Sequence, residues 1–137
     1  MLTILGPTAT GKTRIAAGVA TRFDAEIISA DSRQVFNRMD IGTGKDIEDY
    51  TYNGARIPYH LLDIVEPGSE FSVFDFLKHF YDAYNNITSR SKQVILCGGT
   101  GLYLEAALKG YELPNVPINE ELRSSLALLS KDQLIER

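Results

Sequence analysis

The chain has 137 residues, 44% of them hydrophobic, and sets 14 Lys and Arg against 18 Asp and Glu for a formal charge of −4. That is the size of one ordinary domain with apolar content for a proper core. The acidic balance excludes nucleic-acid binding driven by overall charge, though not a local basic groove.

The lone cysteine, Cys97, excludes an internal disulfide and suits a reducing compartment. No apolar run approaches a membrane span. The first residues already read as a core strand rather than a leader, so a cytoplasmic protein is expected.

Leu2 to Leu5 is short, apolar and strand-like. It runs into Gly6-Pro7-Thr8-Ala9-Thr10-Gly11-Lys12-Thr13, which fits G-x-x-x-x-G-K-[ST], the P-loop. A helix is expected from Thr13, with Ile15, Val19 and Phe23 on one stripe. In such a loop the backbone amides turn inward around an anion, and the helix N-terminus adds partial positive charge. Lys12 brings a full charge, and the Thr13 hydroxyl can reach a metal held by the phosphates.

A second strand is expected over Ala25 to Ala30, ending at Asp31-Ser32-Arg33-Gln34. Ligands of parallel α/β sheets are met at this end of a strand. On spacing alone, Asp31 and Ser32 read equally well as helix caps. Val35 to Asp40 reads as a short helix or turn, and Ile41 to Lys45 as a glycine-rich connection whose spacing matches no P-loop. Asp46 to Pro58 reads as a surface loop or short hairpin.

A third strand is expected over Tyr59 to Val65, stopped by Glu66-Pro67-Gly68. His60 at its start reads as a structural residue. Ser72 and Asp75 form a capping box for the next helix, with Phe74, Leu77, Tyr81, Tyr84 and Ile87 as its core stripe. Lys92 to Cys97 is the fourth strand, apolar in its second half like a buried parallel strand. Gly98-Gly99-Thr100-Gly101 leads into a helix from Leu102 to about Lys109. Tyr111 to Pro117 reads as a linker. Ile118 to Leu129 reads as an amphipathic helix with Leu122, Leu126 and Leu129 inward, and Ser130 to Arg137 is polar.

The order β-α-β-loop-β-α-β-α implies a P-loop NTPase-like parallel sheet with helices on both faces. Four strands are few for that fold, and the core is expected to be truncated before its last part. A P-loop NTPase normally holds its metal with an acid at the end of an apolar strand. Val94-Ile95-Leu96 ends instead in Cys97-Gly98-Gly99, leaving Asp63 and Asp31 as substitutes. A loop without that carboxylate suits a departing diphosphate better than a hydrolysed triphosphate.

Six stretches occur in this order in the tRNA dimethylallyltransferases, which the chain resembles from Leu2 to about Arg123: the P-loop, Asp31 to Gln34, Met39 to Lys45, His60 to Asp63, Phe71 to Val73, and Gly98 to Tyr103. The resemblance implies transfer of a dimethylallyl group from dimethylallyl diphosphate to the N6 amine of the adenine beside the anticodon. It implies diphosphate binding by Gly6 to Thr13, with Lys12 and Thr13 acting on the leaving group and Thr13 meeting Mg²⁺. Asp31 matches the general base. Ser32, Arg33, Gln34, Thr100 and Arg123 match positions that contact the tRNA anticodon arm. Family members are longer; residues 1–113 match the N-terminal part of their P-loop core, and 114–137 the start of a helical tRNA-binding insertion. A monomer without membrane contact is expected. Three other readings stay open: an isopentenyltransferase acting on free AMP, ADP or ATP, a P-loop small-molecule kinase, and a fragment that binds diphosphate without catalysis.

Overall fold

The structure, a computed structural model, describes residues 1–114 and 116–137. Its frame is a four-stranded parallel sheet. Strand β1 (Leu2–Leu5) is followed by helix α1 (Lys12–Phe23) and strand β2 (Ala25–Ala30). A single 3₁₀ turn (Ile47–Tyr50) leads into a hairpin of β3 (Thr51–Tyr52) and β4 (Ala55–Arg56). Then come β5 (Tyr59–His60), α2 (Val73–Ser89), β6 (Gln93–Gly98) and α3 (Gly101–Lys109), with α4 (Glu120–Ala127) and α5 (Lys131–Ile135) at the end. The sheet order is β1-β6-β2-β5, and every neighbouring pair is parallel.

Alternation along β2 and β6 sorts the core into two layers. Ile28, Ala30, Val94 and Leu96 meet α2 and α3 through Phe76, Phe80 and Leu104. Ile27, Ile95 and Cys97 face α1 on the other side. Helices therefore cover both faces, as the element order implies.

Three helical faces differ from expectation. Helix α1 buries Ala16, Ala17 and Ala20, while Ile15 and Phe23 are exposed. Small side chains let the P-loop helix lie close on the sheet, which a bulky stripe would prevent. In α2 the inward set is Phe76, Leu77, Phe80 and Ile87; Tyr81 is exposed, and Phe74 and Tyr84 are half-buried. The capping box of Ser72 and Asp75 forms as expected. Helix α4 is capped by Asn119 but buries no residue, and Leu122 is exposed. Most of the Tyr111 to Pro117 linker is irregular; Asn115 lies outside the described residues.

The third strand is only two residues long. Leu61 and Asp63 adopt left-handed φ of 64° and 54°, which ends extended pairing. The following backbone turns to the 34–36 segment instead: the Asp63 amide donates to the Gln34 carbonyl (3.2 Å) and the Ile64 amide to that of Val35 (2.8 Å). The expected hairpin is present, but Tyr50 before it is buried, so this stretch is not simply surface loop. Ser130 and Gln133 form a capping box that makes the polar tail helical as α5.

Where β2 and β6 end, the sheet is drawn tight. A side chain on Gly98 would place its Cβ 2.2 Å from the Ala30 carbonyl oxygen, so only glycine fits. The Thr100 amide then donates to that same oxygen at 3.1 Å. This closure brings the Asp31 and Gly99 turns side by side.

Candidate functional site

The P-loop turns on two left-handed residues, Ala9 (φ 62°) and Gly11 (φ 75°). The Thr10 hydroxyl donates to the Pro7 carbonyl at 2.8 Å, and the Lys12 ammonium bonds to the same oxygen across the loop. Lys12 and Thr13 open α1, so the ammonium, a hydroxyl and the helix N-terminus converge on one spot.

That spot is one wall of a chamber of about 150 Å³. Thr8, Ala9, Lys12 and Thr13 line it from the loop, Asp31 and Gln34 from the end of β2, and Cys97 and Gly98 from β6. Asp46, Asp49 and Tyr50 close it from the 3₁₀ turn. Burial above all raises the Tyr50 pKa, with Cys97, Tyr59 and Asp31 adding to it. The phenol is therefore neutral, and it shares this chamber with Thr13.

A second chamber of about 210 Å³ adjoins the first and shares Thr8 and Asp31 with it. Ser32, Arg33, Gly99 and Thr100 line it, with Gly42 and Thr43 opposite. Asp31 thus stands between an anion-holding chamber and a neighbouring polar one.

Hydrogen bonds set this junction. Asp31 Oδ1 accepts from the Arg33 amide (3.0 Å), an Asx-type turn, so the capping and site readings of Asp31 are both realised. Thr100 Oγ1 accepts from the Ser32 amide (2.9 Å) and lies 3.3 Å from Ser32 Oγ, stitching the two strand ends together. Ser29 Oγ donates to Gln34 Oε1 (3.1 Å), and Gln34 Nε2 donates to the Gly44 carbonyl (2.9 Å).

Three residues fall elsewhere. Asp63 is no substitute metal ligand here, because it accepts from the buried Lys45 ammonium at 2.5 Å. His60 is structural, bonded through Nε2 to Glu26 at 2.8 Å. Arg123 is exposed on α4 and lines neither chamber. At the end of β6, where an acid would serve a hydrolase, Cys97 stands with its thiol pushed up to about 11 by burial. It is neutral and no ligand for a hard cation. Sequence reading missed Tyr50, Asp46 and Asp49 in the first chamber. The only signal was their clustering, since nothing local tells that a loop folds back on a helix.

The comparisons with known proteins agree with one another. A protein from Phocaeicola vulgatus called tRNA dimethylallyltransferase 2 is 60% identical over 93% of this chain and 41% of its own length. The Geotalea daltonii protein called tRNA dimethylallyltransferase 1 is 56% identical over the whole chain and 43% of its own. The chain thus spans about two fifths of the length of these relatives. The crystal structure of a tRNA isopentenylpyrophosphate transferase from Bacillus halodurans superposes with a TM-score of 0.76 at 38% identity, over 92% of this chain and 41% of that one. A eukaryotic dimethylallyltransferase acting on tRNA superposes at 0.64 with 27% identity, over 98% of this chain and 31% of its own. The family model described as IPP transferase matches residues 34–137, and the chain belongs to that family.

Proposed function

We propose that the two chambers are the donor and acceptor sites of a tRNA dimethylallyltransferase. The enzyme moves a dimethylallyl group from dimethylallyl diphosphate to the N6 amine of the adenine next to the anticodon. The observation that carries this reading is the meeting of both chambers at Asp31.

The P-loop holds the diphosphate in the first chamber. The adenine, swung out of its anticodon loop, enters the second. The N6 nitrogen attacks C1 of the dimethylallyl group, the C1–oxygen bond breaks, and its electron pair leaves with the diphosphate. Lys12 and the loop amides stabilise the charge that grows on the departing oxygen. Asp31 takes the proton that N6 must lose. An exocyclic amine is a weak nucleophile, so holding it against C1 contributes beside the proton transfer. Ser32, Arg33 and Thr100 line the chamber that takes the base, and Gln34 stands beside Asp31 on the first-chamber side, where the two substrates meet.

Mg²⁺ fits the donor set of the first chamber. Thr13 would hold it through a hydroxyl, a hard oxygen that suits an ion keeping waters and taking phosphate oxygens. The Asp31, Asp46 and Asp49 carboxylates line the same space, but among the described residues no group of three or more His, Cys, Asp or Glu could hold a metal. Bound there, the ion would supply neutralisation of diphosphate charge.

Residues 1–113 form the N-terminal part of the catalytic core, and residues 114–137 begin the helical insertion that grips the anticodon arm. The unburied α4, with Arg123 exposed on it, supports that division. The protein acts as a cytoplasmic monomer; no helix among the described residues is long and apolar enough to cross a membrane. The relatives named above are tRNA enzymes by name, which favours tRNA over free nucleotides and over a kinase.

The test is mass spectrometry of nucleosides after incubating the full-length protein with dimethylallyl diphosphate, Mg²⁺, unmodified tRNA and competing AMP. N6-isopentenyladenosine in the tRNA is the expected product. Modified AMP with untouched tRNA, or no product at all, overturns the reading.

A further inference from the structure

The Lys45 ammonium has no part in the chemistry above, yet its side chain is fully buried. Burying a cation is costly unless its donors are met. Here three acceptors meet the three donors of the ammonium: the Phe36 carbonyl at 2.7 Å, Asp63 Oδ1 at 2.5 Å and Asp40 Oδ1 at 3.3 Å. They come from two stretches, the turn from Val35 to Asp40 and the bend after β5, and the lysine itself ends the glycine-rich loop.

What Lys45 pins is the residue before it. Gly44 is left-handed (φ 67°), and a Cβ there would lie 3.7 Å from Thr8 Cγ2 and 4.0 Å from Gln34 Nε2. The loop therefore rests against both the P-loop and Gln34. The Gly44 carbonyl receives one Gln34 N–H, while Ser29 holds the other end of that amide. The Gln34 amide is thus fixed in direction, with one N–H left over, at the chamber wall that also carries Asp31.

We propose that Lys45 is a positioning residue for the junction of the two chambers. By anchoring Gly44 it holds the Gln34 amide at the wall of the first chamber beside Asp31, and through Gln34 it sets how the group being transferred lies relative to Asp31 and the incoming amine. This rests on the transferase reading above.

A double-mutant cycle tests it. The full-length protein is assayed as wild type, Lys45→Met, Gln34→Ala and the double variant, varying dimethylallyl diphosphate and an anticodon stem–loop RNA separately. Lys45→Met is expected to lower kcat about tenfold or more, as loss of alignment does, with KM for the RNA and for the diphosphate each little changed. Added to Gln34→Ala it should cost little further, because both act through one contact chain. An unchanged kcat with a raised KM for either substrate, or full additivity with Gln34→Ala, would show a merely structural lysine and overturn the proposal. If Lys45→Met does not fold, Asp63→Asn keeps the shape, weakens the closest acceptor and carries the same cycle. A wild type that leaves the RNA unmodified would sink the transferase reading instead.

Discussion

Asp31 holds a turn with one carboxylate oxygen and borders both chambers. The two duties separate in Asp31→Asn. The amide oxygen can still accept from the Arg33 backbone, so the turn survives, but the side chain no longer takes a proton. Transfer should fall by about 10²- to 10⁴-fold, while diphosphate binding, followed by calorimetry, changes little. Joint loss of both would mark Asp31 as structural. At this scale the P-loop residues were legible because their chemistry is local in sequence: an anion cradle needs those types at that spacing. Tyr50 was not legible. It joins Thr13 in the first chamber only because the 3₁₀ turn folds onto α1, a contact between residues far apart in the chain.

Among the elements, strand positions along β1, β2 and β6 followed from apolar runs, the start of α2 followed from Ser72, and α3 begins at Gly101, one residue before the expected Leu102. Helical faces were harder. A stripe of large residues marked the wrong side of α1, because close approach to the sheet selected alanines. The third strand failed for another reason: backbone signs at Leu61 and Asp63 are not written in hydrophobicity. One tie between elements carries a pH signature. Buried Glu26 on β2 accepts from Arg90 after α2 (2.5 and 2.9 Å) and bonds His60 on β5 (2.8 Å). The Arg90 guanidinium first, then His60, holds the Glu26 carboxyl below its ordinary 4.5 against the opposing push of burial. A depressed folded value means stability that is present above the unfolded value and lost as pH falls through the folded one. Glu26→Gln should therefore lower the urea midpoint at pH 7, with the gap to wild type closing below about pH 4.5. A gap that stays constant down to acid would refute this origin.

At the scale of the whole molecule, the order of elements was enough to imply a parallel sheet with helices on both faces, since β-α-β connections leave few alternatives. The lateral neighbours of each strand were not legible, and they matter for how the protein behaves in a test tube. Strand β1 is one of the two outer strands of the sheet among the described residues, with Leu2, Leu5 and Phe23 exposed on or beside it. Among the described residues no strand pairs with its outer side, which in this 137-residue chain leaves backbone groups open to another chain beside apolar side chains. The four surplus negative charges give copies of these 137 residues a reason to stay apart in dilute buffer. Salt weakens that repulsion without weakening the apolar attraction. Light scattering of the 137-residue chain should then rise with sodium chloride, and Leu5→Lys should suppress the rise by charging the edge. If scattering ignores salt, β1 is not the sticky surface. Colloidal behaviour, as well as chemistry, thus depends on which strand lies outermost.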